Sequence, residues 1–150
     1  MDKQQTFKRV LIAIDDTDYA AKAAKTGFAL AHVSKGLVAL VYAIDPAKEV
    51  VSADLGITPD QSETALVLEA ERTIENYIEL YDGVQQVVRF TPHGIPEQEI
   101  LRIAADWRAD IIVMGTHGRS AIGRMLSGSK AEYIVRHAEV PVLLSTPRMR

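Results

Sequence analysis

The sequence contains no cysteine in 150 residues, which excludes disulfides, thiolate metal ligands and cysteine nucleophiles. No apolar run approaches the ~20 residues that a membrane-crossing helix requires. An excess of positive charge is also missing. The 17 Lys and Arg against 20 Asp and Glu leave a net charge of −3, which argues against a general binder of nucleic acid or anionic membrane. The stretch Met1-Asp2-Lys3-Gln4-Gln5 lacks the apolar core of a signal peptide. The expectation is a cytoplasmic protein.

Several chemical signatures are absent as well. No G-x-G-x-x-G follows the first apolar run, so the usual dinucleotide fold is excluded. Gly118 and Gly123 have the spacing of a Walker A loop, but Arg124-Met125 stands where Lys-Ser/Thr is required. Asp15-Asp16 resembles the acidic pocket of receiver domains, but Thr91-Pro92-His93 and Ser145-Thr146-Pro147 stand where such a domain needs its acceptor Asp and its Lys. There is no G-x-S-x-G elbow, and His32, His93, His117 and His137 share no metal-ligand spacing. No residue near the glycine-rich stretch from Gly115 to Ser129 is an evident general base. The sequence therefore presents no catalytic residue and no side-chain metal site.

What is present is an alternation of short apolar runs with amphipathic segments. At 47% apolar and 25% charged residues, the 150-residue chain has the make-up of one globular domain spanning 1–150. Arg9 to Ile14 reads as a strand buried on both faces. Asp15-Asp16-Thr17-Asp18 then supplies N-cap side chains and first-turn acids to a helix with Ala20, Ala24, Phe28 and Ala31 on one face. Ser34-Lys35-Gly36 stops that helix, and Leu37 to Ile44 is the second strand. Residues 47–57 have weak periodicity and read as a mobile connection. Thr58-Pro59-Asp60-Gln61 opens a helix with a capping box and Pro at the first helical position, and the helix runs to about Tyr81. Val84 to Phe90 is a strand diluted by polar residues, as a sheet edge tolerates. The next helix starts at Gly94-Ile95-Pro96-Glu97 and carries Ile100, Ile103, Ala104 and Trp107 on one face. Ile111 to Met114 and Val140 to Ser145 are the remaining strands, with a short helix at Ala131 to Val135 between them. Pro141 has no N–H for a ladder, which predicts an edge for the last strand. Trp107 and the tyrosines fit helix faces as packing residues. The order βαβαβαβαβ predicts a parallel sheet with helices on both faces and right-handed crossovers.

The stretch that organises this pattern is Gly115, two residues, Gly118, nine residues, then Gly128-Ser129. It begins at the end of the strand containing Met114 and leads into a helix. Glycines permit close backbone approach to a ligand, and a helix start offers unpaired N–H groups and a positive dipole end to an anion. Together they predict a phosphate-binding device. Asp15, Ala43 and Gly115 all fall at carboxyl ends of strands, where ligands of such sheets bind, and so are expected to face one crevice.

This glycine pattern resembles that of the universal stress protein family. Val10-Leu11-Ile12-Ala13-Ile14-Asp15, Gly94-Ile95-Pro96, Ala109 to Arg119 and Val140 to Leu144 extend the likeness over almost the whole chain. The resemblance implies a Rossmann-like, doubly wound five-stranded parallel sheet of order 3-2-1-4-5 with four helices, usually dimeric. It further implies ATP binding with magnesium or manganese on the phosphates. Carried over by position, Asp15 would bond the ribose beside Ala13 and Ile14, and Ala43 would offer its backbone to adenine. Gly115, Gly118, Gly128 and Ser129 would hold the triphosphate, and Met114 belongs to the same ATP site.

Lys130, where the family more often has a small or β-branched residue, has two readings: attraction to phosphate or exposure to solvent. The same two hold for Arg119 and Arg124. The expected function is that of a stress-related regulator whose nucleotide occupancy controls homo-oligomer formation or binding to a protein partner, for example a membrane transporter. A slow ATP hydrolase and a nucleotide-independent scaffold are the alternatives. The apolar last strand, unprotected at an edge, supports a homodimer or tetramer independently.

Overall fold

The structure is a computed structural model that describes residues 4–49, 52–81, 86–116 and 129–146. The strands are β1 (Arg9–Ala13), β2 (Leu37–Val41), β3 (Val87–Phe90), β4 (Ile111–Gly115) and β5 (Val142–Ser145). They form one sheet in the order β3-β2-β1-β4-β5, with every pairing parallel. The helices are α1 (Tyr19–Ser34), α2 (Pro59–Leu80), α3 (Pro96–Trp107) and α4 (Ser129–His137). The strand order expected from the family resemblance is the one found.

Strand alternation divides the interior into two layers. From β1, Val10 and Ile12 enter a cluster with Ala24 and Phe28 of α1 and Ala70 and Ile74 of α2. Leu11 and Ala13 face the opposite way, toward Ile100 and Trp107 of α3 and Ile134 of α4. As the central strand, β1 is covered on both faces, which is why its sequence is continuously apolar rather than alternating. Helix α1 lies very close to it. A Cβ at Gly27 would sit 2.5 Å from the Ile12 side chain, so this helix-to-sheet distance requires a glycine.

The amino ends of β1 and β4 are fastened by Asp110. Its Oδ2 accepts from the amides of Lys8 at 2.9 Å and Arg9 at 2.8 Å, while its own N–H donates to the Arg9 carbonyl at 2.8 Å. The Arg9 guanidinium lies 4.4 Å from the Trp107 ring centroid and donates through Nε to the Trp107 carbonyl.

Helix α2 begins as its sequence dictates. The Gln61 amide donates to Thr58 Oγ1 at 3.2 Å, the Thr58 amide donates to Gln61 Oε1 at 3.0 Å, and Pro59 stands at the first helical turn. Helix α1 does not begin as expected. Asp18 occupies the cap with helical backbone angles (φ −65°, ψ −22°), makes no side-chain cap bond, and is followed by no acid in the first turn. A capping side chain needs extended backbone at its own residue, and this position does not have it. The nearby carboxylate of Asp15 is engaged instead by Thr17, whose amide donates to Oδ1 at 2.9 Å and whose hydroxyl donates to the same atom.

Two strands fall two or more residues short of their apolar runs. Beyond Val41, Tyr42 and Ile44 still donate to the Phe90 and Pro92 carbonyls, at 2.9 and 2.7 Å. Pro92 has no N–H to return, so the ladder thins to an isolated Ile44–His93 bridge. Pro141 acts in the same way before β5: its carbonyl accepts from Ile112 at 3.0 Å, and the strand proper starts at Val142 on the sheet edge. Helix α4 is longer than its apolar pattern and runs from Ser129 to His137. The connection after β2 has structure of its own. Asp45 caps a 3-10 turn at Pro46–Lys48, and an antiparallel bridge joins Ser52 to Ile57. Among the described residues no helix is long and apolar enough to cross a membrane.

Candidate functional site

Strand order reverses between β1 and β4, and beyond their carboxyl ends lies a crevice of about 350 Å³. Its floor is apolar: Ala13 and Ile14 come from β1 and its end, Met114 from β4, and Ile100 from α3. Asp15 stands two residues beyond β1, and Ala43 two residues beyond β2. Across from them, Gly115 ends β4, and Lys130 and Ala131 come from the first turn of α4. That turn carries the amides that have no partner within the helix, and the positive dipole end, of a nine-residue helix.

Ala13, Ile14, Asp15, Ala43, Met114, Gly115 and Lys130 therefore line one crevice. Ser129 is the first residue of α4. Gly118, Arg119, Arg124 and Gly128 lie outside the described residues. Gly115 has a structural reason as well. A Cβ there would lie 2.3 Å from the Tyr19 carbonyl oxygen, so a bare α-carbon is what lets the start of α1 close over the end of β4.

The sequence reading missed a second group of lining residues. Tyr42, treated there with the other tyrosines as packing on a helix face, follows β2 and lines the crevice, as does Tyr19 at the start of α1. Asp16, Asp45 and Glu69 add carboxylates beside Asp15, and Lys48 adds an ammonium 3.9 Å from Asp16. With both partners of that pair half-exposed, it contributes ~0–1 kcal/mol. The available signal was register. Tyr42 neighbours Ala43 at a strand end, and Glu69 lies one residue before the buried Ala70 of α2. The packing reading does hold for Tyr81, stacked on Phe28 with ring centroids 4.8 Å apart, and for Trp107.

Tyr42 is only 8% exposed, and burial pushes its phenol well above the ordinary tyrosine value, with Glu69, Asp16 and Asp15 adding to the rise. The hydroxyl is therefore neutral and able to donate. Asp15 Oδ1 takes both Thr17 donors, while Oδ2 has no partner among the described residues. Among those residues no group of three or more His, Asp or Glu could hold a metal ion. The site thus offers an apolar slot, a polar rim with several carboxylates, and a helix start on the opposite wall.

A five-stranded parallel sheet wound on both faces, with a crevice at its switch point, defines a Rossmann-like ligand-binding fold. The chain belongs to the universal stress protein family, whose model matches residues 6–145. A universal stress protein of Thermus aquaticus, encoded in a QAH/OAS sulfhydrylase 3′ region, is 32% identical over 140 residues, covering 92% of this chain and 98% of its own. Universal stress protein MJ0577 of Methanocaldococcus jannaschii is 30% identical over 152 residues, covering 92% of this chain and 94% of its own. Its solved structure superposes with a TM-score of 0.80, covering 97% of this chain and 99% of that one. The fold is also that of an Archaeoglobus fulgidus universal stress protein solved in complex with dAMP, at TM-score 0.65 and 18% identity over 92% of this chain and 97% of that one.

Proposed function

We propose that this protein is a regulator that binds ATP in the crevice, with magnesium or manganese carried on the phosphates, and that occupancy controls its self-association or its binding to a protein partner. The observation that carries this reading is the convergence of Asp15, Ala43, Gly115 and the first turn of α4 on one crevice of about 350 Å³. That volume lies within the ~300–1,000 Å³ usual for small-ligand sites. The apolar floor suits a base, and Asp15 Oδ2 accepts from a ribose hydroxyl. The amides of α4, Lys130 and Gly115 serve the phosphates, and the sequence pattern assigns Gly118, Arg119, Gly128 and Ser129 to the same phosphates. In this reading the cation is carried on the phosphates rather than on side chains. A relative of the same fold solved with dAMP supports an adenine nucleotide as the ligand. Assembly uses the sheet-edge strand β5, whose Val142, Leu143 and Leu144 are only partly buried.

Titration calorimetry with ATP and Mg²⁺ tests the reading. The parent protein should show saturable binding with phosphate release at background. Asp15→Ala should weaken binding at least ~10-fold by removing a charged hydrogen bond. Gly118→Val should abolish it while cooperative unfolding persists, because its added bulk blocks close backbone approach. Sedimentation with and without ATP reads the assembly. Absence of any ATP binding by the parent overturns the proposal in favour of a scaffold, and phosphate release abolished by Asp15→Ala would make the protein a hydrolase.

A further inference from the structure

Resting on the nucleotide reading above, we infer that Tyr42 is a specificity-determining residue of the crevice: its hydroxyl donates to the ribose diol and makes the site selective for nucleotides with both sugar hydroxyls free.

Tyr42 sits where an apolar side chain would serve packing equally well. Its ring joins the cluster formed by Ile14, Ala20 and Ile44, and the residue is 92% buried, being 8% exposed. Its backbone amide is satisfied by the Phe90 carbonyl at 2.9 Å. Its hydroxyl has no partner among the described residues, yet no fully buried side-chain polar atom among them is left unsatisfied. The hydroxyl therefore keeps some exposed surface, and the residue lines the crevice where a ligand would lie. A phenol hydroxyl carried on a ring packed in an apolar cluster is partly stripped of water, and an acceptor on a ligand restores the lost hydrogen bond.

The surroundings determine which part of a nucleotide that something is. Glu69, Asp16 and Asp15 all act electrostatically on the phenol. Asp15, Asp16, Asp45 and Glu69 line this crevice against the single Lys48 ammonium beside Asp16, a balance that disfavours phosphate here and favours it at the first turn of α4 and Lys130. What remains for this end is an uncharged group that can give a proton to a carboxylate and take one from a phenol. A vicinal diol does both: one hydroxyl donates to Asp15 Oδ2 and one accepts from Tyr42. The same carboxylates exclude a sugar phosphorylated at its 2′ or 3′ position.

Two measurements test this with the full chain. The first compares affinities for ATP, 2′-deoxy-ATP and 3′-deoxy-ATP in the parent protein and in Tyr42→Phe. The parent should prefer ATP to at least one deoxy analogue by roughly fivefold, the weight of one hydrogen bond. Tyr42→Phe should lose that preference while binding the disfavoured analogue as the parent does. Because Phe preserves the packed ring, its unfolding midpoint should match the parent's. The second needs no variant. The parent should bind adenosine 3′,5′-bisphosphate at least roughly tenfold more weakly than AMP, the size expected when a charge is forced beside like charges. Unchanged discrimination in Tyr42→Phe, or equal binding of AMP and the bisphosphate, overturns the inference and leaves ATP binding intact. Failure of the parent to bind ATP or AMP overturns both proposals.

Discussion

At the scale of single residues, the site depends as much on what Gly115 lacks as on what its neighbours supply. The Tyr19 carbonyl oxygen would be 2.3 Å from a Cβ at this position, and that atom belongs to backbone that cannot rotate away. Gly115→Ala should therefore destabilise the fold by about 1–3 kcal/mol, the usual cost of forcing a group into a filled space. Urea unfolding followed by circular dichroism measures this. An unchanged midpoint would mean that the α1 start is free to shift. This glycine was legible in the sequence as a ligand-facing residue, and it does line the crevice, but its contact with α1 was not. That contact joins residues nearly a hundred positions apart, and no local pattern reports it. Tyr42 was hidden for a related reason: alternation says that it faces away from its neighbours, but not that its own side opens on a cavity.

At the scale of elements, a start was legible where one residue type had one available partner. Thr58 and Gln61 bond each other's amides across a single turn, so the sequence was sufficient to place the start of α2. Thr58→Ala should cost about 1 kcal/mol. Gln61→Ala should cost less than its own effect in the parent when Thr58 is already gone, because the two bonds share one turn. A double-mutant cycle in urea would show this coupling, and strictly additive losses would mean that the box contributes nothing beyond its parts. The start of α1 was not legible. Asp15, Asp16, Thr17 and Asp18 are all able to cap, and a local bond from Thr17 to Asp15 decides among them. Strand lengths were overestimated at Ile44 and Val140 because apolar content persists beyond the point where a proline stops returning hydrogen bonds.

At the scale of the whole molecule, three tyrosines link stability to alkaline pH. Burial raises the phenols of Tyr42, Tyr77 and Tyr81 above the ordinary value of 10.0 in the folded chain. Below pH 10 the phenols are neutral in both folded and unfolded states, and their contribution is complete. Above pH 10 the unfolded chain ionises first, so stability should fall steadily as pH rises through the folded values. Urea unfolding at stepped pH from 8 to 11 should show that fall, and Tyr42→Phe should make it shallower. A slope identical to the parent's would mean that Tyr42 ionises alike in both states. The strand order itself was legible through family resemblance, because the crossover from β3 to β4 reverses direction without any local mark in the sequence. That order has a consequence for the chain as it leaves the ribosome. The central strand is made first, but its second neighbour is β4, about a hundred residues later. Until β4 emerges, Val10, Leu11 and Ile12 sit beside a raw flank, so the nascent first half is the stage at which a chaperone would find most to hold.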